Sequence, residues 1–138
     1  EFRRVLFRSV GTIPAGTYHL TVTATDSAST PLTGTLTFDL VVALKLANTT
    51  PTAVTATNAG AITTVSATGN TGTITYTLDA TTAALGWVTI NSSTGAVAVT
   101  SSSVAGSYPI TVTATDGTAP TGASAAATGT VTFTMTIN

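Results

Sequence analysis

One twelve-residue segment occurs twice in this chain. Residues 15–26 read AGTYHLTVTATD and residues 105–116 read AGSYPITVTATD, with nine identities in twelve positions at an offset of 90. A looser echo follows each copy, GTLTFDLVV at 34–42 and GTVTFTMTI at 129–137. The offset there is 95, because the second copy carries a longer intervening loop. Self-similarity at a long fixed period marks a tandem array of one structural unit rather than a single enzyme domain. Whatever the unit is, its apolar face must be buried twice.

The repeated segments alternate. Tyr18, Leu20, Val22 and Ala24 point one way and Thr21, Thr23 and Thr25 the other; Leu36, Phe38, Leu40 and Val42 alternate with Thr35, Thr37 and Asp39. The second copy repeats the scheme with Tyr108, Ile110, Val112 and Ala114, then Val131, Phe133, Met135 and Ile137, and Ile74, Tyr76 and Leu78 alternate with threonines between the two. A period of two is the signature of a half-buried strand. Threonine suits the wet side because its branched β-carbon fits a pleated surface while its hydroxyl stays in water. No helical periodicity of useful length is present. Strands are predicted near 53–57, 61–67, 72–79, 86–91, 95–100, 107–115 and 128–137. Trp87, Val88, Ile90, Val97 and Val99 supply the core of the middle ones. The fold class expected is all-β: an immunoglobulin-like Greek-key sandwich, one complete seven-stranded module over 46–138 and one partial module over 10–45. The stretch 46–52 reads as a polar linker with Pro51 opening the new module.

Residues 1–9, EFRRVLFRS, are the in-frame translation of a string resembling the end of a widely used short-read sequencing adapter, and are set aside from fold reasoning. The native part then starts near Val10. Three of the four basic residues lie in that segment. What remains is Lys45 against Asp26, Asp39, Asp79 and Asp116, one positive charge against four negative. No basic patch survives, so nucleic acid and anionic membranes are poor partners. There is no cysteine, and no apolar run reaches the roughly eighteen residues that span a bilayer. Charged residues make up 7% of the chain, against about 25% in ordinary soluble domains, whereas 36 residues are Thr and 11 are Ser. Hydroxyls, and glycans attached to them, must then hydrate the surface, which points to an extracellular or cell-surface location.

The stretch WVTINSSTGAVAVTSSSVAGSYPITVTATDG resembles the bacterial cadherin-like, or putative-immunoglobulin, tandem repeat. Trp87 to Ile90, Asn91, Thr94-Gly95, Val97, Gly106, Tyr108, Val112, Ala114 and Asp116 carry the likeness. It implies a cadherin-like sandwich and a place in adhesins, surface filaments or accessory regions of secreted enzymes. It also poses the question of calcium, which cadherins hold between modules. Asp26 and Asp116 fall where one carboxylate ligand belongs and are the weak calcium candidates. The linker and the segment 101–105 lack the other acidic residues, and a hard cation needs six to eight oxygens. The alternative is that both aspartates close turns by accepting amide hydrogen bonds. No cofactor is expected.

No catalytic residue is identified. The single histidine, His19, lies on a strand where the second copy has Pro109. No base accompanies the many hydroxyls, and neither a phosphate loop nor a zinc ligand set exists. The threonine rows resemble an ice-binding face, but sandwich sheets twist by roughly 20° per strand. Asn48-Thr49-Thr50 and Asn91-Ser92-Ser93 are N-glycosylation triplets, so Asn48, Asn91, Thr49 and Thr50 are candidate glycan sites; such triplets also arise by composition alone in a Thr-rich chain.

The half-module over 10–45 leaves Leu20, Val22, Leu36, Phe38, Leu40 and Val42 as an open apolar face that residues 46–138 are not expected to cover. A lone hairpin is marginal in water. The half-module is expected to be completed by chain upstream of Val10 or by another subunit; the expectation favoured is self-association into a polymer, a surface fibre or pilus-like filament assembled by strands from another subunit. The alternatives are a spacer in a large adhesin, or a carbohydrate-binding accessory module that would need Trp87 or Tyr76 exposed.

Overall fold

The computed structural model describes residues 11–51, 59–101 and 103–138. Antiparallel strands dominate. β1 (Gly16–Thr25) and β2 (Thr33–Val42) form a hairpin. β3 (Lys45–Asn48), β4 (Gly60–Thr68), β5 (Ile74–Leu78), the single helical turn α1 (Ala80–Ala83), β6 (Val88–Ile90), β7 (Ala96–Val99), β8 (Gly106–Asp116), β9 (Ala125–Ala126) and β10 (Thr128–Ile137) follow. The expected strand at 53–57 lies outside the described residues.

Two sheets, ordered β10-β8-β5 and β3-β4-β7-β6, face each other. The connections from β4 to β5, β5 to β6 and β7 to β8 cross between them, as in an immunoglobulin- or cadherin-like Greek-key sandwich. Alternation decides which side of each strand is inward. Ile110, Val112 and Ala114 of β8 and Phe133, Met135 and Ile137 of β10 are buried against Val65, Val88, Val97 and Val99 of the opposing sheet, while the intervening threonines stay on the outer face. Trp87 is buried and meets Tyr108 edge-on with ring centroids 4.9 Å apart. Of the residues predicted to fill the middle of the core, Ile90 alone is only half-buried.

Local chemistry explains the departures from simple alternation. A bulge between Ala61 and Thr63 in β4 buries Ile62 and Thr63 in succession. The buried Thr63 hydroxyl is met by the Thr49 hydroxyl at 2.8 Å, as an interior polar group requires. Gly95 sits at φ +71°, and a Cβ there would collide with the Val65 carbonyl, so the Thr-Gly pair of the repeat is a turn that only glycine can close. Asp79 caps α1 through the Thr82 amide at 3.0 Å. The buried Thr82 hydroxyl then accepts the Thr111 amide at 3.1 Å, continuing hydrogen bonding along β8 beyond the end of β5.

Two features differ from expectation. Residues 46–48, expected to open a linker over 46–52, belong to β3, which pairs with β4 from Lys45↔Thr68 to Asn48↔Val65, and Leu46 packs against the core. Its alternation is too short to stand out in sequence. The β1–β2 hairpin is also joined to the sandwich at its base. Gly16 and Thr17 pair with Ala126 and Ala125 of β9. Ala15 is buried and donates to the Gly69 carbonyl at 2.9 Å. Ser124 donates from its amide to the Thr17 carbonyl at 2.7 Å. A Cβ on Gly16 would lie 2.9 Å from Pro120 Cγ, so the 117–124 loop seats against a bare backbone. On the other strand, Val42 packs against the core and Leu44 is buried. The expectation that residues 46–138 leave Val42 uncovered is corrected at this base. The loop that lengthens the offset from 90 to 95 is what clasps it.

Candidate assembly surface

The hairpin reproduces the β8–β10 register. Leu20 lies opposite Phe38 and Val22 opposite Leu36, as Ile110 lies opposite Phe133 and Val112 opposite Val131. Directly opposed residues in an antiparallel pair share a face. Tyr18, Leu20, Val22, Leu36, Phe38 and Leu40 therefore form one apolar surface. Its environment differs from that of its counterpart. Leu20 is 37%, Phe38 45% and Leu40 37% exposed, whereas the corresponding Ile110, Phe133 and Met135 are 0%, 9% and 0% exposed. Leu36 is exposed, Val22 is half-buried, and Val42 belongs to the join with the sandwich. Seven of the eight large apolar side chains exposed among the described residues lie between Ile13 and Val41. No charged residue lies on this face; His19 and Asp39 oppose each other on the other side, with His19 Nδ1 against the Asp39 carboxylate.

The two aspartates of the repeat close turns. Asp116 is 2% exposed, and its carboxylate accepts amides from Thr71 at 2.6 Å, Gly72 at 2.8 Å and Thr118 at 3.1 Å. Burial pushes its pKa up, but amides from Thr71, Thr118, Gly72 and Gly117 outweigh that and hold it below the usual carboxylate range. Asp26 is exposed and accepts through Oδ1 from Ala28 at 3.2 Å and Leu32 at 3.1 Å. Among the described residues no group of three or more His, Cys, Asp or Glu comes together that could hold a metal ion. Likewise no described helix is long and apolar enough to cross a membrane, which says nothing about strands.

The candidate glycan sites separate. Asn48 ends β3, is half-buried, and spends its Nδ2 on the Thr49 carbonyl at 3.0 Å. Thr49 is tied to β4, its hydroxyl accepting the Thr64 amide at 3.0 Å, while Thr50 is exposed. Asn91 is exposed in a tight turn; its Oδ1 accepts the Ser93 and Thr94 amides, both at 3.0 Å, and its Nδ2 makes no hydrogen bond among the described residues. Trp87 and Tyr76, the aromatic candidates for a sugar platform, are both buried.

No protein-family model matches the chain, and no curated protein does. Among solved structures it is similar to the protocadherin gammaB7 EC3-6 cis-dimer, with 22% identity, a TM-score of 0.49, and coverage of 89% of this chain and 32% of that one. It is also similar to the extracellular cadherin domains 3-6 of protocadherin gamma B2, with 18% identity, a TM-score of 0.48 and coverage of 89% and 32%. The chain thus spans about a third of the length of either.

Proposed function

We propose that this chain is a non-enzymatic, extracellular structural protein built from cadherin-like sandwich modules, a subunit of a surface fibre or pilus-like filament. The apolar face of its β1–β2 hairpin is left open by residues 46–138, and a strand-bearing segment of another subunit covers it. One observation carries this reading. At the same cross-strand register, the apolar side chains of Ile110, Phe133 and Met135 are buried in the second copy, while those of Leu20, Phe38 and Leu40 are open in the first. Complete burial of a leucine or phenylalanine side chain is worth roughly 1.5–3 kcal/mol. Leu20, Leu36, Phe38 and Leu40 are 37%, 65%, 45% and 37% exposed, so covering what remains open offers up to about 3–6 kcal/mol, a large part of the stability of a small domain.

The test is light scattering and negative-stain microscopy of the chain beside Phe38→Asp. The parent polymerises with rising concentration. The variant stays monomeric while the fluorescence of Trp87, the single tryptophan and buried in the sandwich, is unchanged. A parent chain that remains monomeric at high concentration refutes the reading. A spacer in a large adhesin is the second reading. The clasped hairpin base favours it, since bonds from Ala15, Thr17 and Leu44 to the next copy would stiffen a rod of such modules.

A further inference from the structure

We infer that residues 117–126 form a strap that locks the β1–β2 hairpin onto the sandwich, so that the two copies move as one stiff body without a metal. The inference concerns the join within one chain. It holds for either reading above, fibre or spacer.

Comparison of the two copies shows that the strap is not needed to close its own strand pair. Asp26 donates its amide to the Leu32 carbonyl at 3.0 Å, and Asp116 donates to the Ala127 carbonyl at 2.9 Å. These are the same bond twice, since Asp116 follows Asp26 by 90 positions and Ala127 follows Leu32 by 95. The second copy holds five more residues (95 − 90 = 5) within it. An extended loop costs little in chain entropy and ordinarily lies over the surface in water. This one lies against the other copy. Ser124 donates from its amide and its hydroxyl to the Thr17 carbonyl, at 2.7 and 3.0 Å. Ala125 and Ala126 pair with Thr17 and Gly16. Pro120 is buried, and a Cβ on Gly16 would lie 2.9 Å from its Cγ and 3.2 Å from Ala123 Cβ. The root of the strap is fixed as well, Gly117 donating to the Thr73 carbonyl at 2.9 Å.

The other strand of the hairpin gives an independent observation. The chain leaving β2 passes over Gly129 of β10. A Cβ there would lie 2.6 Å from Leu46 Cδ1 and 2.7 Å from the Leu44 carbonyl oxygen, whereas Gly34, its counterpart in the first copy, meets nothing within 4 Å. Bare glycine backbone allows this close approach. Leu44 is buried and donates to the Thr128 carbonyl at 3.4 Å. The hairpin is thus gripped at both of its strands, and a body held at two places cannot swing about one connection. The gripping residues are Ala, Gly, Thr, Leu, Pro and Ser, none of them charged. Neither a chelator nor salt weakens such a grip.

The test is backbone amide NMR relaxation of the full chain, at a concentration where light scattering finds monomer. Order parameters of β1 and β2 are expected near about 0.85, as in β8 and β10, with or without EDTA. Deleting residues 120–124 gives the second loop the length of the first. The β1 and β2 values then fall below about 0.6, and the Ala15 amide exchanges at least about tenfold faster. Trp87 fluorescence and the β8 and β10 values stay unchanged. Gly16→Val, which drives a side chain into Pro120, has the same effect from the hairpin side. The inference is overturned if β1 and β2 already lie below about 0.6 in the parent or if EDTA lowers them there. It is also overturned if either variant, with Trp87 fluorescence intact, leaves them at the parent value. Should the deletion disturb Trp87, Gly16→Val alone decides. Disturbance of Trp87 by both variants overturns the inference too, since the strap would then belong to the sandwich's own fold.

Discussion

Asp116→Ala and Asp26→Ala remove the same residue from the two copies of one repeat, and the structure makes their costs unequal. At Asp116 the substitution strips the acceptor from the amides of Thr71, Gly72 and Thr118 in a site that is 2% exposed. Hydrogen bonds to a charged group are worth roughly 1.5–3 kcal/mol each, so three amount to about 4.5–9 kcal/mol gross. Burying the carboxylate costs several kcal/mol and offsets part of this. A net loss of about 2–4 kcal/mol follows. At Asp26 the two amides lie in an exposed turn where water replaces the lost acceptor, and the loss is about 0.5–1 kcal/mol. Urea unfolding followed by Trp87 fluorescence measures both. Acid adds a second readout. Because the folded pKa of Asp116 is depressed, its contribution is complete above the unfolded value of about 3.9 and is lost as pH falls through the folded value. As pH falls below about 4 the parent thus loses stability more steeply than Asp116→Ala does; Asp79, held low by Thr82 hydrogen bonds, contributes equally to both. Equal costs for the two substitutions, or identical acid profiles for parent and Asp116→Ala, would refute the reasoning.

Two further outcomes are expected. Since each copy offers one carboxylate, already committed to amides, EDTA shifts the melting temperature by no more than about one or two degrees; a larger drop restored by Ca²⁺ contradicts this assignment. In material from its natural source, intact mass and peptide mapping should find glycan at Asn91 rather than Asn48, because the Asn48 amide nitrogen is hydrogen-bonded in a sheet; a bare polypeptide mass, or occupancy confined to Asn48, counts against it.

Much of this molecule is local and therefore legible in the chain. Threonine alternating with Val, Ile, Leu or Phe places β1, β2, β5, β8 and β10, and the side facing the core, because a period of two has one physical meaning on a pleated strand. The repeat offsets of 90 and 95 predict that Leu20 meets Phe38 as Ile110 meets Phe133. The turn-closing alternative for both aspartates needed only their place after Val-Thr-Ala-Thr. Three things needed the tertiary structure. β3 was hidden because four residues are too few to display a period, and it gains its partner from β4, which lies further along the chain. The clasp by the 117–127 segment is a contact between residues about a hundred positions apart, and local propensity says nothing about where an inserted loop lies. Above all, alternation tells which side of a strand prefers an apolar surrounding but not whether one is there. Two segments with nine identities in twelve positions thus differ in burial, and Asp116 is enclosed where Asp26 is open. That difference is made by chain remote in sequence: the opposing β3-β4-β7-β6 sheet covers the β8–β10 pair and not the β1–β2 hairpin, and the Thr71-Gly72 segment leading into β5 encloses Asp116.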